Sequence, residues 1–248
     1  MKPFLLLQSR PEDDTSDNEY DGILSTTGLE TDQLERFRVE SQPLPVIDLE
    51  RYSGVIMGGG PFNASTPADK KSANQKRVEA DLARLLTEMV QKDFPFFGIC
   101  YGVSTLGSLL GGKVSGKYGE SLRATVVSLT PEGIQDKLLL GMPESFEAIS
   151  GHKEACEILP NEAVLLAASP TCPVHMFRVK HNLYVTQFHP ELDMEGLRIR
   201  VNAYKHAGYF PPEDADKIIA TLGKADLSHV SQMLKNFVAE YSSVSKNA

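Results

Sequence analysis

No apolar stretch in these 248 residues approaches the roughly 18–20 needed to cross a bilayer. The longest runs, 4–7, 94–99 and 163–168, have the length of buried strands. Residues 1–7 imitate a secretion signal only as far as Gln8-Ser9-Arg10, where an acidic segment follows without a small-residue cleavage site. Paired cysteines are missing too. Cys100, Cys156 and Cys172 form an odd set with no C-x-x-C spacing, which argues against a disulfide framework or a structural zinc site. A reducing, cytoplasmic setting is the expectation. Nor is there a Lys/Arg cluster: 25 basic against 33 acidic residues leave a net charge of −8, without the electrostatic footprint of a nucleic-acid binder. Neither nucleic acid nor a membrane is an expected partner. No Gly/Ser-rich or Pro-rich linker and no internal repeat divides the chain, so one domain over 1–248 is expected.

Six of the acids, Glu12, Asp13, Asp14, Asp17, Glu19 and Asp21, lie together with no base among them. They read as a solvated loop leading into a helix whose first turn tolerates carboxylates. Residues 4–8 read as a strand, and 55–57 as another that runs into Gly58-Gly59-Gly60-Pro61. Between 72 and 90, Val78, Leu82, Leu85, Leu86, Met89 and Val90 recur at helical spacing. A short apolar strand at 94–99 and a buried helix at 103–110, closed by Gly111-Gly112, come next. Such alternation predicts an α/β fold with helices on both faces of a mostly parallel sheet. The second half turns β-rich from 123 to 187, with strands at 124–129, 164–168, 174–179 and 183–188, the last two a hairpin. Helices return at 194–206 and from 212 to about 241.

Gly98-Ile99-Cys100-Tyr101-Gly102, between a buried strand and a buried helix, has the spacing of a nucleophile elbow with cysteine in place of serine. Its two glycines suit a sharp, strained turn in which a Cβ at either position would collide with neighbouring backbone. Cys100 would then stand at a helix N-terminus, where the dipole and free N–H groups favour thiolate and lower its pKa. A cysteine nucleophile needs a base, and the base an orienting carboxylate. His189-Pro190-Glu191 offers both after a strand, since residues i and i+2 of an extended segment point to one side. His175, His181, His206 and His229 read as structural. Gly58-Gly59-Gly60-Pro61 offers backbone N–H groups that can approach a ligand closely. The phosphate-loop pattern G-x-x-x-x-G-K-[ST] and the dinucleotide pattern G-x-G-x-x-G are both absent as strand-to-helix signatures, which removes nucleotide binding.

In the order G-G-G-P, G-I-C-Y-G and Q-F-H-P-E, these segments resemble the class I glutamine amidotransferase domain over about 4–207, with a helical C-terminal extension of about 208–248 outside it. The resemblance implies a three-layer α/β/α fold with a flavodoxin-like sheet. It implies Cys100 as nucleophile on the glutamine side-chain amide, His189 as base and acid, and Glu191 as the residue that orients His189. Backbone N–H groups of Gly60 and Tyr101 would form the oxyanion hole, and Gly59, Ser104 and His152 would line the substrate pocket. Through a γ-glutamyl thioester, glutamine would become glutamate and ammonia, which a partner synthetase or ligase normally consumes. No metal or organic cofactor is implied.

Many family members carry glutamine four residues after the nucleophile, where this chain has Ser104. That departure keeps a second reading open: hydrolysis of γ-glutamyl peptides or conjugates by the same triad. A third is a non-catalytic binding protein on the same fold, against which retention of Cys100, His189 and Glu191 together argues. An α/β-hydrolase with G-x-C-x-G is disfavoured because its acid precedes the histidine in the chain, whereas Glu191 follows His189. Cys156 and Cys172 are assigned to packing.

Overall fold

The computed structural model describes residues 1–242; positions 243–248 of the expected C-terminal extension lie outside the described residues. In chain order the strands are β1 (Phe4–Gln8), β2 (Leu34–Arg38), β3 (Gly54–Met57), β4 (Phe96–Ile99), β5 (Lys113–Ser115), β6 (Glu120–Leu129), β7 (Ser145–His152), β8 (Ala155–Ile158), β9 (Ala163–Ala168), β10 (Met176–Val179) and β11 (Leu183–Thr186). The helices are α1 (Asp13–Thr27), α2 (Ala73–Lys92), α3 (Tyr101–Leu109), α4 (Pro131–Gln135), α5 (Met194–Ala203), α6 (Ala215–Leu222) and α7 (Gln232–Ser242). One sheet runs β2-β1-β3-β4-β11-β10-β9-β6-β7, and β5 pairs with β8 apart from it. From β2 to β11 every neighbouring pair is parallel; from β11 to β7 every pair is antiparallel. This is the mixed α/β architecture with a large, mostly parallel central sheet that the segment order predicts.

Strand β1 shows why two helical layers are needed. All five of its residues are buried, with Phe4 and Leu6 in one apolar cluster and Leu5 and Leu7 in the other. A strand's period of two sends alternate side chains to opposite faces, so a strand buried along its whole length, with large apolar side chains on both faces, demands cover on both. Helices α2 and α3 cover one face through Val78, Leu82, Leu86, Val103 and Leu106. Ile23 of α1 and Met233, Leu234 and Phe237 of α7 cover the other. Helix α2 matches its expected span, capped by the Ser72 hydroxyl, which accepts from Gln75 N at 3.0 Å.

Two expectations change, and two features go beyond them. The acidic run lies mostly inside α1 rather than in a loop, and Glu19 is not solvated: the helical turn carries it inward, fully buried, 2.9 Å from Arg10 Nε. Residues 145–152 form a long strand along β6, and the single helical stretch expected after 212 is two helices interrupted at 223–231. Most consequential, α7, within the C-terminal extension, is part of the helical layer over this sheet. The Phe237 ring lies 6.0 Å from that of Phe4 and 5.5 Å from that of Phe97. Phe237→Ala is therefore expected to cost about 3–5 kcal/mol, read as a lower urea midpoint, where an appended helix would leave the midpoint unchanged.

Candidate active site

The parallel insertion of β11 beside β4 creates the site. Thr186 pairs with Ile99, and Cys100 N–H donates to Thr186 O at 2.6 Å, so the chain leaves both strands at the same sheet edge. On one side it turns into α3, and on the other it runs on to Gln187, Phe188 and His189.

Cys100 makes its turn alone, at φ 53° and ψ −84°, between the last residue of β4 and the first of α3. A side chain held there costs on the order of 1–3 kcal/mol. The elbow has one sterically required glycine, not two. A Cβ on Gly98 would meet Phe96 Cε1 at 2.9 Å and Gly102 Cα at 3.0 Å, whereas one on Gly102 would make an ordinary 3.7 Å contact with Val185. Gly102 is spared because its Cβ would point at a side chain of β11 rather than at backbone. Because Cys100 carries the strain, Cys100→Gly should unfold at a urea midpoint no lower than that of Cys100→Ala. At an unstrained position glycine falls below alanine by about 0.5–1 kcal/mol.

The Gly58-Gly59-Gly60 turn is fitted around side chains from the N-terminal segment. Added Cβ atoms would lie 2.2 Å from Glu19 Oε2 at Gly58, 2.6 Å from Arg10 Nη2 at Gly59 and 2.0 Å from Ser9 Oγ at Gly60. Gly59 N–H donates to Glu19 Oε1 at 3.2 Å and Gly59 O accepts from Ser9 Oγ at 3.2 Å. What Gly59 gives the site is thus space, since both its backbone groups are engaged inside the protein, in place of the substrate contact expected of it. The Gly60 and Tyr101 N–H groups have no partner among the described residues, as oxyanion donors must.

The empty position over Gly59 also measures how near the histidine is. A Cβ there would stand 3.0 Å from His189 Cε1 and 3.5 Å from Cys100 Cβ, so imidazole and cysteine flank one point. His189 Nδ1 is 2.9 Å from Glu191 Oε1. Donation of the Nδ1 proton to that carboxylate leaves Nε2 free to accept one. Gln187 Nε2 points at Cys100 Sγ from 3.8 Å.

A buried network that sequence reasoning did not find surrounds this pair. Arg200 of α5 donates through Nη2 to Glu191 Oε1 at 2.8 Å, and its Nη1 lies 2.9 Å from His189 Nδ1. Arg10 donates through Nε to Glu19 Oε1 at 2.9 Å and through Nη1 to Tyr204 Oη at 2.9 Å. Burial pushes the Cys100 thiol up to about 11, with Arg10 pulling it down and Glu191 adding to the rise. The lowered pKa expected from the helix N-terminus is thus reversed, because removal from water outweighs the dipole. Burial also pulls His189 below its ordinary value, Glu191 opposes this, and Arg200 and Arg10 reinforce it. At neutral pH the resting site is therefore a thiol beside a neutral imidazole.

Cys100 stands between two recesses that share Gly60 and Tyr209. One is polar, lined by Tyr101, Ser104, His152, Lys153, Glu154 and Gln187. The His152 ring does not enter it freely: Nδ1 is 2.9 Å from Glu154 O and Nε2 3.0 Å from Glu120 Oε2, so the ring anchors the 151–154 backbone. The other recess holds His189, Arg10, Arg200, Leu197, Tyr204 and Phe210. Among the described residues no group of three or more His, Cys, Asp or Glu is placed to hold a metal ion.

A cysteine elbow over a doubly covered sheet, facing a His–carboxylate pair, has the layout of an α/β cysteine hydrolase or acyltransferase. A family model described as "Glutamine amidotransferase class-I" matches residues 17–201, and the chain belongs to that family. It is 27% identical over 247 residues to gamma-glutamyl peptidase 4 of Arabidopsis thaliana, covering 96% of this chain and 95% of that one. With the glutamine-hydrolyzing GMP synthase subunit of Thermoplasma volcanium it shares 29% identity over 172 residues, 69% of this chain and 75% of the other. A solved glutamine amidotransferase from Thermotoga maritima has the same fold, with a TM-score of 0.79 at 19% identity over 98% of this chain and 99% of that one.

Proposed function

We propose that this protein hydrolyses γ-glutamyl amides through a thioester on Cys100. The observation that carries this reading is that Cys100 and His189 flank one point, with two unpartnered N–H groups at Gly60 and Tyr101, and that Cys100 also lines a polar recess. His189 Nε2 takes the thiol proton as Sγ attacks the γ-carbonyl carbon, and the oxyanion is held by Gly60 and Tyr101 N–H. The C–N bond then breaks. The amine departs with the proton carried by His189, and the acyl group remains on sulfur. A water molecule, deprotonated by the same nitrogen, releases glutamate and returns the thiol. Glu191 keeps the imidazole in the tautomer that both half-reactions require.

The acyl half fits the polar recess. A γ-glutamyl group ends in an ammonium and a carboxylate, and the recess presents the Glu154 carboxylate and the Lys153 side chain together with Ser104 and Gln187. Similarity to gamma-glutamyl peptidases along nearly the whole chain supports conjugates as substrates alongside glutamine itself. Similarity to the GMP synthase chain of Thermoplasma volcanium favours a second reading, in which ammonia from glutamine passes to a partner synthetase.

The test is to incubate the full chain with glutamine and with γ-glutamyl dipeptides, assay glutamate, and search digests for a γ-glutamyl adduct on the Cys100 peptide. Glutamate release with an adduct confined to Cys100 is expected. Release undiminished in Cys100→Ser, or no release from any γ-glutamyl compound, overturns the proposal.

A further inference from the structure

The two recesses beside Cys100 differ in chemistry, and the direction of proton transfer says which half of the substrate each receives. His189 must hand its proton to the departing nitrogen, so the leaving amine lies on the side of Cys100 that His189 lines. That side is a cavity of about 520 Å³ including its open mouth. Leu122, Leu192, Leu197, Tyr209 and Phe210 give most of the wall carbon rather than polar atoms.

Two guanidinium groups, Arg10 and Arg200, line this mostly apolar cavity. The Arg10 side chain is 5% exposed and fixed at two of its three nitrogens, Nε on Glu19 and Nη1 on Tyr204. Its Nη2 has no partner among the described residues and lies 2.6 Å from where a Gly59 Cβ would sit, next to His189 Cε1. Arg200, the other buried arginine here, donates through Nη2 to Glu191 and packs Nη1 against His189, and its buried Nε has no partner among the described residues. A guanidinium held by its neighbours, with one donor nitrogen left over, is a receptor for an anion, and a carboxylate suits its geometry.

Resting on the reading that Cys100 carries a γ-glutamyl group, we propose that this cavity is a leaving-group site for amino acids with an apolar or aromatic side chain. Arg10 Nη2 receives the leaving group's carboxylate. The favoured substrates are then γ-glutamyl conjugates of such amino acids. Acyl transfer to Sγ breaks the γ-amide bond, and the free amino acid departs with the proton from His189. Burial of the leaving side chain against Leu197 and Phe210 favours binding in proportion to the apolar surface covered, a gain that ammonia cannot provide.

The experiment compares kcat/KM for glutamate release from glutamine, γ-Glu-Gly, γ-Glu-Phe and the C-terminal amide of γ-Glu-Phe. We expect γ-Glu-Phe to exceed γ-Glu-Gly and glutamine by tenfold or more, and to exceed its own amide by a similar factor. In Arg10→Gln the acid-to-amide ratio should collapse toward one. A ratio taken on a single preparation is independent of the fraction folded, and the wild-type comparison needs no variant. If glutamine is cleaved as well as γ-Glu-Phe, or the acid and its amide react equally, the leaving-group site is overturned while γ-glutamyl hydrolysis stands. If Arg10→Gln depresses glutamine and both peptides by one factor, Arg10 does not read the leaving group, and the assignment is overturned. If no γ-glutamyl compound releases glutamate, the underlying reading itself falls.

Discussion

Alanine in place of His189 is expected to lower kcat/KM for glutamate release by about 10²–10⁴-fold, the range of general acid–base catalysis. The resting cysteine is a thiol pushed up to about 11, so almost none of it is ionised at neutral pH and attack on an amide needs a base within reach. A site with a preformed thiolate would lose less, since only protonation of the leaving amine would then depend on the imidazole. Steady-state kinetics with a chromatographic glutamate assay give the ratio, and the urea midpoint shows whether the variant is folded. Turnover within twofold of wild type would remove His189 from the mechanism. Glu191→Gln should be milder, because the imidazole stays and only its tautomer and orientation degrade.

The second large effect concerns Arg200. From α5 it donates to Glu191 and stands beside His189, with Glu19 3.9 Å away, and all of these groups are buried. Arg200→Met leaves Glu191 as a buried charge without its cation, a loss of about 3–5 kcal/mol read by denaturant titration. The variant also reports on the base. His189 is held below the ~6.5 of a free imidazole, so the acid limb of the wild-type pH–rate profile lies below that pH. Arg200 is one of the cations that hold it down. Its removal lets His189 protonate at higher pH, and the acid limb moves toward neutrality. Glu191→Gln removes the group that favours the imidazolium and moves the limb the other way. Shifts of the same sign in the two variants would contradict the arrangement.

How much of the site is legible in the residues follows from how local each feature is. The elbow is encoded within five positions: Gly98 must be glycine against Phe96 and Gly102, and the strand-to-helix change leaves Cys100 at the bend. The His189–Glu191 pair is equally local, since Pro190 keeps both side chains on one side of an extended turn. Gly58-Gly59-Gly60 is visible as a turn, yet its reason is not, because the atoms that exclude side chains there belong to Ser9, Arg10 and Glu19. Glu19 lies in an acidic run whose charge pattern reads as solvent-facing, and Arg10 stands just before it. Only the rotation of α1 against the sheet carries Glu19 inside.

By itself the sequence determined the alternation of strands and helices, the cysteine at a strained bend and the histidine two residues before its carboxylate. Backbone sterics and side-chain periodicity act over a few residues and need no distant partner. Tertiary structure alone decided that β11 lies beside β4, so that residues 89 positions apart face one cavity, and that α5 supplies a guanidinium to the pair. It also decided that the thiol is raised rather than lowered and that α7 closes a face of the sheet. Desolvation, long-range ion pairing and layer packing depend on which surfaces meet, and that is settled only when the sheet order is complete.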